Sequence, residues 1–394
     1  MEAHTLINSN RTRRNFLRGA LATSAFVLSA RSQALATAFE TQRRFAAVKV
    51  SRDRVIREVV GLRPFRPSGF VVAAERVAEK LLVHNYGHGG GGVTLSWGTA
   101  SLAVDLARDF LNTRPVRRPS RLASHARRFA VIGCGVSGLS TARLLQQRFQ
   151  DGPGTVTIYA KDLPPNTTSN IAGANWSPTS VFDPQRTTTT FNDQFRQACQ
   201  ISNKTFQLLI GAEYGVRWIE TFELSRHEQS LQREMPGGNA LYPNIRIHRD
   251  PDNYFGFPYV REFTTMLIEP SIYLSALLRD FYIAGGKVVV KEFRSRQEIA
   301  RLPEAVIFNC SGLGARALFG DEELIPVRGQ LEVLLPQPEV DYCYLSSGYM
   351  FPRRDGIILG GTWDHDDWNL SPNPDQASWI LDTHAEIMKA LVKQ

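Results

Sequence analysis

Short apolar runs that end in glycine and then give way to helical spacing recur along this chain. In "FAVIGCGVSGLSTARLLQQRF" (129–149), Phe129 to Ile132 form a continuous apolar run that predicts a buried strand, and Leu139 to Phe149 repeat apolar residues at helical period. Between them Gly133, Gly135 and Gly138 stand in G-x-G-x-x-G spacing. "TVTIYA" (155–160) predicts the following strand. "EAVIFNCSGLGARAL" (304–318) predicts another, running into Gly312 and Gly314 and then a helix start. The last stretch, 377–394, is helix-like. By contrast 111–128 has no apolar periodicity and is rich in arginine and proline, so it reads as a solvated tether, or as a contact for an acidic partner or lipid headgroups.

Strand, glycine turn and helix in that order are the layout of a dinucleotide-binding unit. The first glycine permits the tight turn, the second lets the backbone around Val136 and Ser137 approach a pyrophosphate, and the third lets helix and strand pack closely. The strand after it leads to Lys161 and then Asp162; either residue is placed to meet a ribose edge. The segment 163–178 that follows offers Thr167, Thr168 and Ser169, then Ala172, Gly173 and Ala174. These supply hydroxyl and backbone N–H donors without bulk, in keeping with either a phosphate chain and ring edge or an ordinary surface loop. Ser311 and Gly312 end a later strand whose tip is expected to face the same ligand. A denser glycine run, "HNYGHGGGG" (84–92), precedes all of this by some forty residues, and it too calls for a flat or anionic partner.

Composition changes this picture little. With 43% hydrophobic and 21% charged residues, the 394-residue chain is ordinary for a globular protein and long enough for one large or two medium domains. The net charge of +8 is more informative once located: five arginines against Glu2 lie within 1–36, and six arginines with no acid lie within 111–128. The remainder is slightly acidic, which argues against a nucleic-acid partner. "TRRNFLR" (12–18), a short apolar run and "ALA" (34–36) read as a twin-arginine export signal, which implies a periplasmic or extracellular protein folded around its cofactor before export. The apolar run is too short to span a bilayer, so no integral membrane segment is expected. Cys134, Cys199, Cys310 and Cys343 are widely spaced. They suggest neither a disulfide framework nor a metal site, and His84 and His88 lack the nearby carboxylates a metal centre wants.

"LVHNYGHGGGGVTLSWGTA" (82–100) resembles the signature of the D-amino-acid oxidase family, and "VIGCGVSGLSTA", "IYAKDLPPNTTSNIAGANWSP", "NCSGLGA", "RGQ", "YMFP" and "LGGTW" resemble its other blocks. Together they cover nearly all of the chain after residue 45, but their order is rotated. The "GLRPFRP" and "HNYGHGG" blocks close the family's chains and open this one, so the chain reads as a circular permutation in which 111–128 joins the old ends. The resemblance implies an α/β fold: an FAD-binding Rossmann-like domain drawn from 81–110, 129–215 and 265–318, and a mainly antiparallel substrate domain drawn from 45–80, 216–264 and 319–394. Residues 45–110 are the equivalent of the family's C-terminal part.

The resemblance also implies roles. FAD is the cofactor, a small D-amino acid the substrate and molecular oxygen the final acceptor, giving a 2-oxo acid, ammonia and hydrogen peroxide. Arg63 is implied to grip the substrate carboxylate with Tyr349, while the neighbouring Arg66 is the structural arginine. Tyr344 corresponds to a family tyrosine lying over the site, at a spacing one residue longer. The Gly90 carbonyl would receive the substrate amino group. Backbone N–H groups of Gly89 to Val93, including Gly92, together with the Thr94 hydroxyl, would face the flavin where reduction places negative charge. Relatives that prefer acidic substrates carry an arginine where Trp363 stands here, so neutral, aromatic or basic side chains are expected over D-aspartate. A flavin-dependent oxidase or dehydrogenase of glycine or sarcosine type, and a non-catalytic binding protein, remain the alternatives.

Overall fold

Two sheets organise residues 46–394 in this computed structural model, which describes residues 45–113, 128–149, 156–249 and 255–392. The proposed export signal at 1–36 and residues 114–127 of the arginine-rich tether lie outside the described residues.

In the first sheet, β2 (Val71–Val77), β3 (Lys80–Tyr86), β10 (Val306–Asn309), β4 (Phe129–Ile132), β5 (Val156–Ala160) and β9 (Lys287–Val290) stand side by side in that order. From β3 to β9 every pairing is parallel; β2 pairs antiparallel with β3 at one edge. Each residue of β4, β5 and β10 is buried, as unbroken apolar runs require when helices cover both faces. One face packs against the helices α1 (Gly92–Thr113), α2 (Val136–Arg148), α3 (Thr189–Leu208) and α4 (Pro270–Ile283). The other carries a smaller cluster around Phe293, Ile299 and Leu302. Helices α1 and α3 touch backbone to backbone at Gly98, whose N–H donates to Ser202 Oγ at 2.8 Å and where any Cβ would collide with the Ala198 carbonyl.

In the second sheet, β1 (Val55–Phe65), β11 (Ile325–Leu334), β14 (Gly356–Gly360), β13 (Tyr349–Arg353), β12 (Tyr342–Leu345), β6 (Val216–Ser225), β8 (Tyr259–Ile268) and β7 (Arg246–Arg249) run in order, with the short β15 (Asp364–His365) beside β11. All pairings are antiparallel except β12 with β6. The final helix, α5 (Pro374–Val392), packs on β11 and β14.

The α/β class and the pairing of a parallel with a mainly antiparallel sheet are as expected from sequence. Two segments are assigned differently. Residues 265–268, grouped by sequence with the nucleotide domain, complete β8 in the second sheet, because the strand pairs with β6 along its whole length. Residues 71–77, grouped by sequence with the substrate domain, belong to the nucleotide sheet, because the tight turn at Ala78 (φ +54) folds β2 straight back onto β3.

Candidate functional site

The two glycine blocks, forty residues apart in sequence, open on the same space. A cavity of about 1510 Å³ lies at the carboxyl ends of β10, β4 and β5, where parallel sheets of this kind bind their ligands, and extends across to β1, β11 and β13 of the second sheet. Its walls include the N-termini of both α1 and α2, neither of which has an acidic residue in its first turn. Each presents N–H groups without intrahelical partners and the positive end of a helix dipole, which suits a phosphate or a developing negative charge.

Glycine is required in the turn between β4 and α2 for two separate reasons. Gly133 has φ +105, donates its N–H to the Tyr159 carbonyl (2.8 Å), and would drive a Cβ into the Cys310 carbonyl. Gly138 does not line the cavity; a Cβ there would strike the Gly133 carbonyl, so its role is the close approach of helix to turn. Gly135, Val136 and Ser137 all line the space, although the Val136 N–H is already taken by Ser169 Oγ at 3.0 Å. Asp162 and Lys161 both line the far end and lie 3.7 Å apart as an ion pair.

Thr167, Thr168, Ser169, Ala172, Gly173 and Ala174 form one wall, Ser311 and Gly312 another. The Ser311 turn is held by Asn309, whose Oδ1 accepts from both the N–H (3.2 Å) and the hydroxyl (2.7 Å) of Ser311. Beside Ala174, the buried Asn175 donates to Thr221 Oγ1 (3.2 Å) but leaves its Oδ1 without a partner among the described residues. Sequence reasoning passed over Asn175, for nothing in "AGANWSP" marks it off from its neighbours.

At the other glycine block, Gly89, Gly90, Gly92, Val93 and Thr94 all line the cavity. Two details correct the sequence expectation. The N–H of Gly90 is spent on the Ser180 carbonyl (2.9 Å) and that of Gly91 on His88 (3.0 Å), so donation into the cavity falls to the first turn of α1. The Thr94 hydroxyl donates to the Gly91 carbonyl at 3.0 Å and leaves only lone pairs for a ligand. His88 is fully buried, stacked on Phe70, with Nε2 3.1 Å from both Asn85 Oδ1 and Thr99 Oγ1. Desolvation pushes its pKa down to about 4, so the ring is neutral.

The second sheet supplies a cationic end. Arg63, on β1, lies between the indole of Trp363, with Cζ 4.8 Å from the ring centroid, and the backbone of Gly329, where a Cβ would sit 2.6 Å from Cζ. Its only hydrogen bond among the described residues is a long one, 3.5 Å to the Thr362 carbonyl, and it has no carboxylate partner there. Arg66, as expected, is structural, paired with Asp321 (3.0 Å) and Glu323 (2.8 Å). Tyr349 opens β13 half-buried, stacked on Phe351 at 4.8 Å, with no partner for its hydroxyl among the described residues. A half-buried guanidinium without an acid and a free phenol on the same cavity make a receptor for a small anion.

Tyr344 is a correction. It is fully buried outside the cavity, and its hydroxyl bonds to His384 Nδ1 on α5, because the strand alternation of β12 turns it away from the site. Trp363, Trp368 and Leu370 line the mouth and are at least a third exposed. Among the described residues no group of three or more His, Cys, Asp or Glu is placed to hold a metal, and no helix is long and apolar enough to cross a membrane.

The buried neutral histidines give a pH prediction. His384, like His88, has its pKa pushed down to about 4 by burial, from an ordinary 6.5. The unfolded chain therefore binds these protons first as pH falls, and stability present above pH 6.5 is lost between 6.5 and about 4. Each group contributes roughly 3 kcal/mol to that loss. Denaturant titrations at pH 7 and pH 4.5 should show the drop, and His88→Gln should shrink it.

Parallel sheet, paired helix N-termini and a glycine-lined cleft define a dinucleotide-binding protein, and Arg63 and Tyr349 line the part of the same cavity formed by the second sheet. The chain belongs to the FAD-dependent oxidoreductase family, whose model matches residues 25–106 and 128–394. FAD is thus the cofactor, and the long cleft and its bare glycines fit it. A D-amino acid oxidase of Dugesia ryukyuensis is 29% identical over 273 residues, covering 66% of this chain and 78% of that protein. A D-amino-acid oxidase of Rubrobacter xylanophilus is 30% identical over 267 residues (64% and 75%), and a human D-aspartate oxidase 30% over 259 (64% and 74%). Among solved structures, L-proline dehydrogenase from P. horikoshii shares the fold at TM-score 0.51 and 15% identity, covering 68% of this chain and 79% of that one. Glycine oxidase from Bacillus cereus does so at 0.50 and 16%, with the same coverage.

Proposed function

We propose that this chain is an exported oxidase of D-amino acids, with neutral and aromatic side chains preferred over D-aspartate. The observation that carries the reading is Arg63: a guanidinium packed against Gly329 and Trp363 at the cavity wall, with no acid to neutralise it among the described residues, on the same cavity as the Tyr349 phenol. A substrate carboxylate engages the guanidinium edge and the phenol, and its ammonium loses a proton before or on entry. The Gly90 carbonyl accepts a hydrogen bond from the resulting amine. These three contacts aim the Cα–H along the cleft and exclude water from it. FAD, held by the glycine turn at Gly133 to Ser137 and by the walls around Thr167 and Ser311, would supply the hydride acceptor and the two-electron route to oxygen that yields hydrogen peroxide. The imino acid then hydrolyses to a 2-oxo acid and ammonia. The N–H groups of the first turn of α1, which line the same cavity, would stabilise negative charge developing there.

Trp363, Trp368 and Leu370 support the side-chain preference, since they give the cavity mouth an aromatic and apolar lining. Twin-arginine export rests on the sequence of 1–36: "TRRNFLR", the apolar run after it and "ALA". The rotated block order is supported by the adjacency of Val48 and the C-terminal helix, where the Val48 N–H lies 3.2 Å from Met388 Sδ. In family order, α5 would run on into the segment that begins at Val50, two residues after Val48.

The test is an anaerobic titration of the holoprotein, followed by flavin absorbance, with the D- and L-isomers of phenylalanine, alanine, lysine and aspartate. Bleaching by D-phenylalanine but not its L-isomer, with peroxide formed on admitting air, is the expected result. Bleaching by D-aspartate first would overturn the preference, and bleaching by glycine or sarcosine alone would move the chain to the other amine oxidases.

A further inference from the structure

His384 has no place in the chemistry above, yet it is fully buried behind the anion receptor and touches both segments that hold it. Its Nε2 faces the Gly360 carbonyl at 3.2 Å and so carries the proton; Nδ1 accepts from the Tyr344 hydroxyl. The ring also presses on Gly348, where a Cβ would lie 2.7 Å from Nε2. Gly348 immediately precedes Tyr349, and Ser346 closes that turn by donating to the Gly348 carbonyl at 2.6 Å. On the other side, Gly360 supports the Tyr349 ring so closely that a Cβ would come within 2.6 Å of the phenol oxygen. Two residues further on, the Thr362 carbonyl is the hydrogen-bond partner of Arg63.

We propose that His384 is a positioning residue for the substrate carboxylate: it pins the β12–β13 turn to the end of β14 and thereby sets the phenol of Tyr349 against the guanidinium of Arg63. The inference rests on the reading of Arg63 and Tyr349 as the carboxylate receptor. The side chain does this as a neutral two-ended bridge, one end fixed by a carbonyl and the other by a hydroxyl. An apolar ring of similar size would fill the space and hold neither end. Tyr344 is accordingly part of the brace rather than of the site.

The experiment compares wild type, His384→Phe, His384→Gln and Tyr344→Phe as holoproteins, with D-phenylalanine and with D-phenylalaninamide, which lacks the carboxylate. His384→Phe is expected to raise KM for the amino acid roughly 30-fold while changing kcat/KM for the amide less than about 3-fold. Calorimetric binding of the unreactive 3-phenylpropionate should weaken by the same factor as KM rises. His384→Gln, which keeps a donor for the Gly360 carbonyl, should recover most of the loss. If His384→Phe fails to fold, Tyr344→Phe removes only the hydroxyl and should raise KM for the amino acid about 5-fold with no effect on the amide. Equal losses on both substrates, or unchanged carboxylate binding in both the His384→Phe and Tyr344→Phe variants, would overturn the positioning role and leave the oxidase reading intact. A wild-type protein that binds neither D-phenylalanine nor 3-phenylpropionate would overturn both.

Discussion

Arg63→Ala should lower kcat/KM for D-phenylalanine by about a thousandfold, and Arg63→Lys should rescue little of it. The expectation follows from how the guanidinium is held. One face lies against the backbone of Gly329 and the other under the Trp363 indole, so the plane is fixed and only its edge points at the cavity. A carboxylate meeting that edge accepts two parallel N–H bonds in a partly desolvated site, where losing such a pair costs about 4 kcal/mol. Lysine brings charge without the planar fork and cannot be clamped between a backbone and a ring. The same geometry makes Gly329 a site residue by proxy: a Cβ there would sit 2.6 Å from Cζ and push the fork off its plane. Steady-state oxygen uptake for the two Arg63 variants and Gly329→Ala measures the effect. A loss below tenfold in Arg63→Ala, with the holoprotein intact, would place the carboxylate elsewhere.

The parts of this molecule readable from sequence are those in which one short segment contains its own reason. The run from Phe129 to Phe149 carries strand, turn and helix within twenty-one residues, and Gly133 and Gly138 answer to clashes within the turn or with the residue that follows β10. Arg66 was readable as structural because an arginine flanked by prolines next to a better-placed candidate wants an acid, and Asp321 and Glu323 supply two. What stayed illegible depends on partners far along the chain. The Gly90 N–H goes to Ser180, ninety residues away, so a glycine run that looks like a row of free donors is partly spent on holding its own loop. Tyr344 is turned away by the pleat, since Leu345, not Tyr344, stands opposite Tyr349 across β12 and β13. His384 sits in a helix whose sequence, "LDTHAEIMK", marks it as no more than a polar interruption. Its meaning comes from a tyrosine forty residues earlier and a carbonyl on another strand. A single chain shows which residues are chemically able; the register of two sheets decides which of them meet.

Gly133→Ala should cost the protein its FAD. Gly133 is the point at which three strand ends converge: its N–H is tied to the Tyr159 carbonyl at the end of β5, and Cys310 at the end of β10 donates to the Ile132 carbonyl at 2.9 Å. Its φ of +105 lies where side chains rarely go, and the added methyl would run into the Cys310 carbonyl, with the carbonyl carbon only 3.0 Å away. Neither neighbour can yield, since both belong to buried parallel strands. Backbone strain and overpacking together come to about 3 kcal/mol, and the cheapest relief is to shift the turn that faces the pyrophosphate. That amounts to roughly a hundredfold weaker binding, visible as purified protein without flavin absorbance. It should also appear as a melting temperature that rises when FAD is added in excess, because occupancy then stabilises the folded state by mass action. Gly312→Ala is the matched control. Its φ of +57 is also positive, but nothing lies within 4 Å of the new methyl, so only the modest backbone cost applies and the flavin should be retained. If both variants kept their flavin, the turn would be tolerant and the site would owe its cofactor to the walls around Thr167 and Ser311. If both lost it, positive φ alone, rather than the crowding of three strand ends, would be what the cofactor depends on.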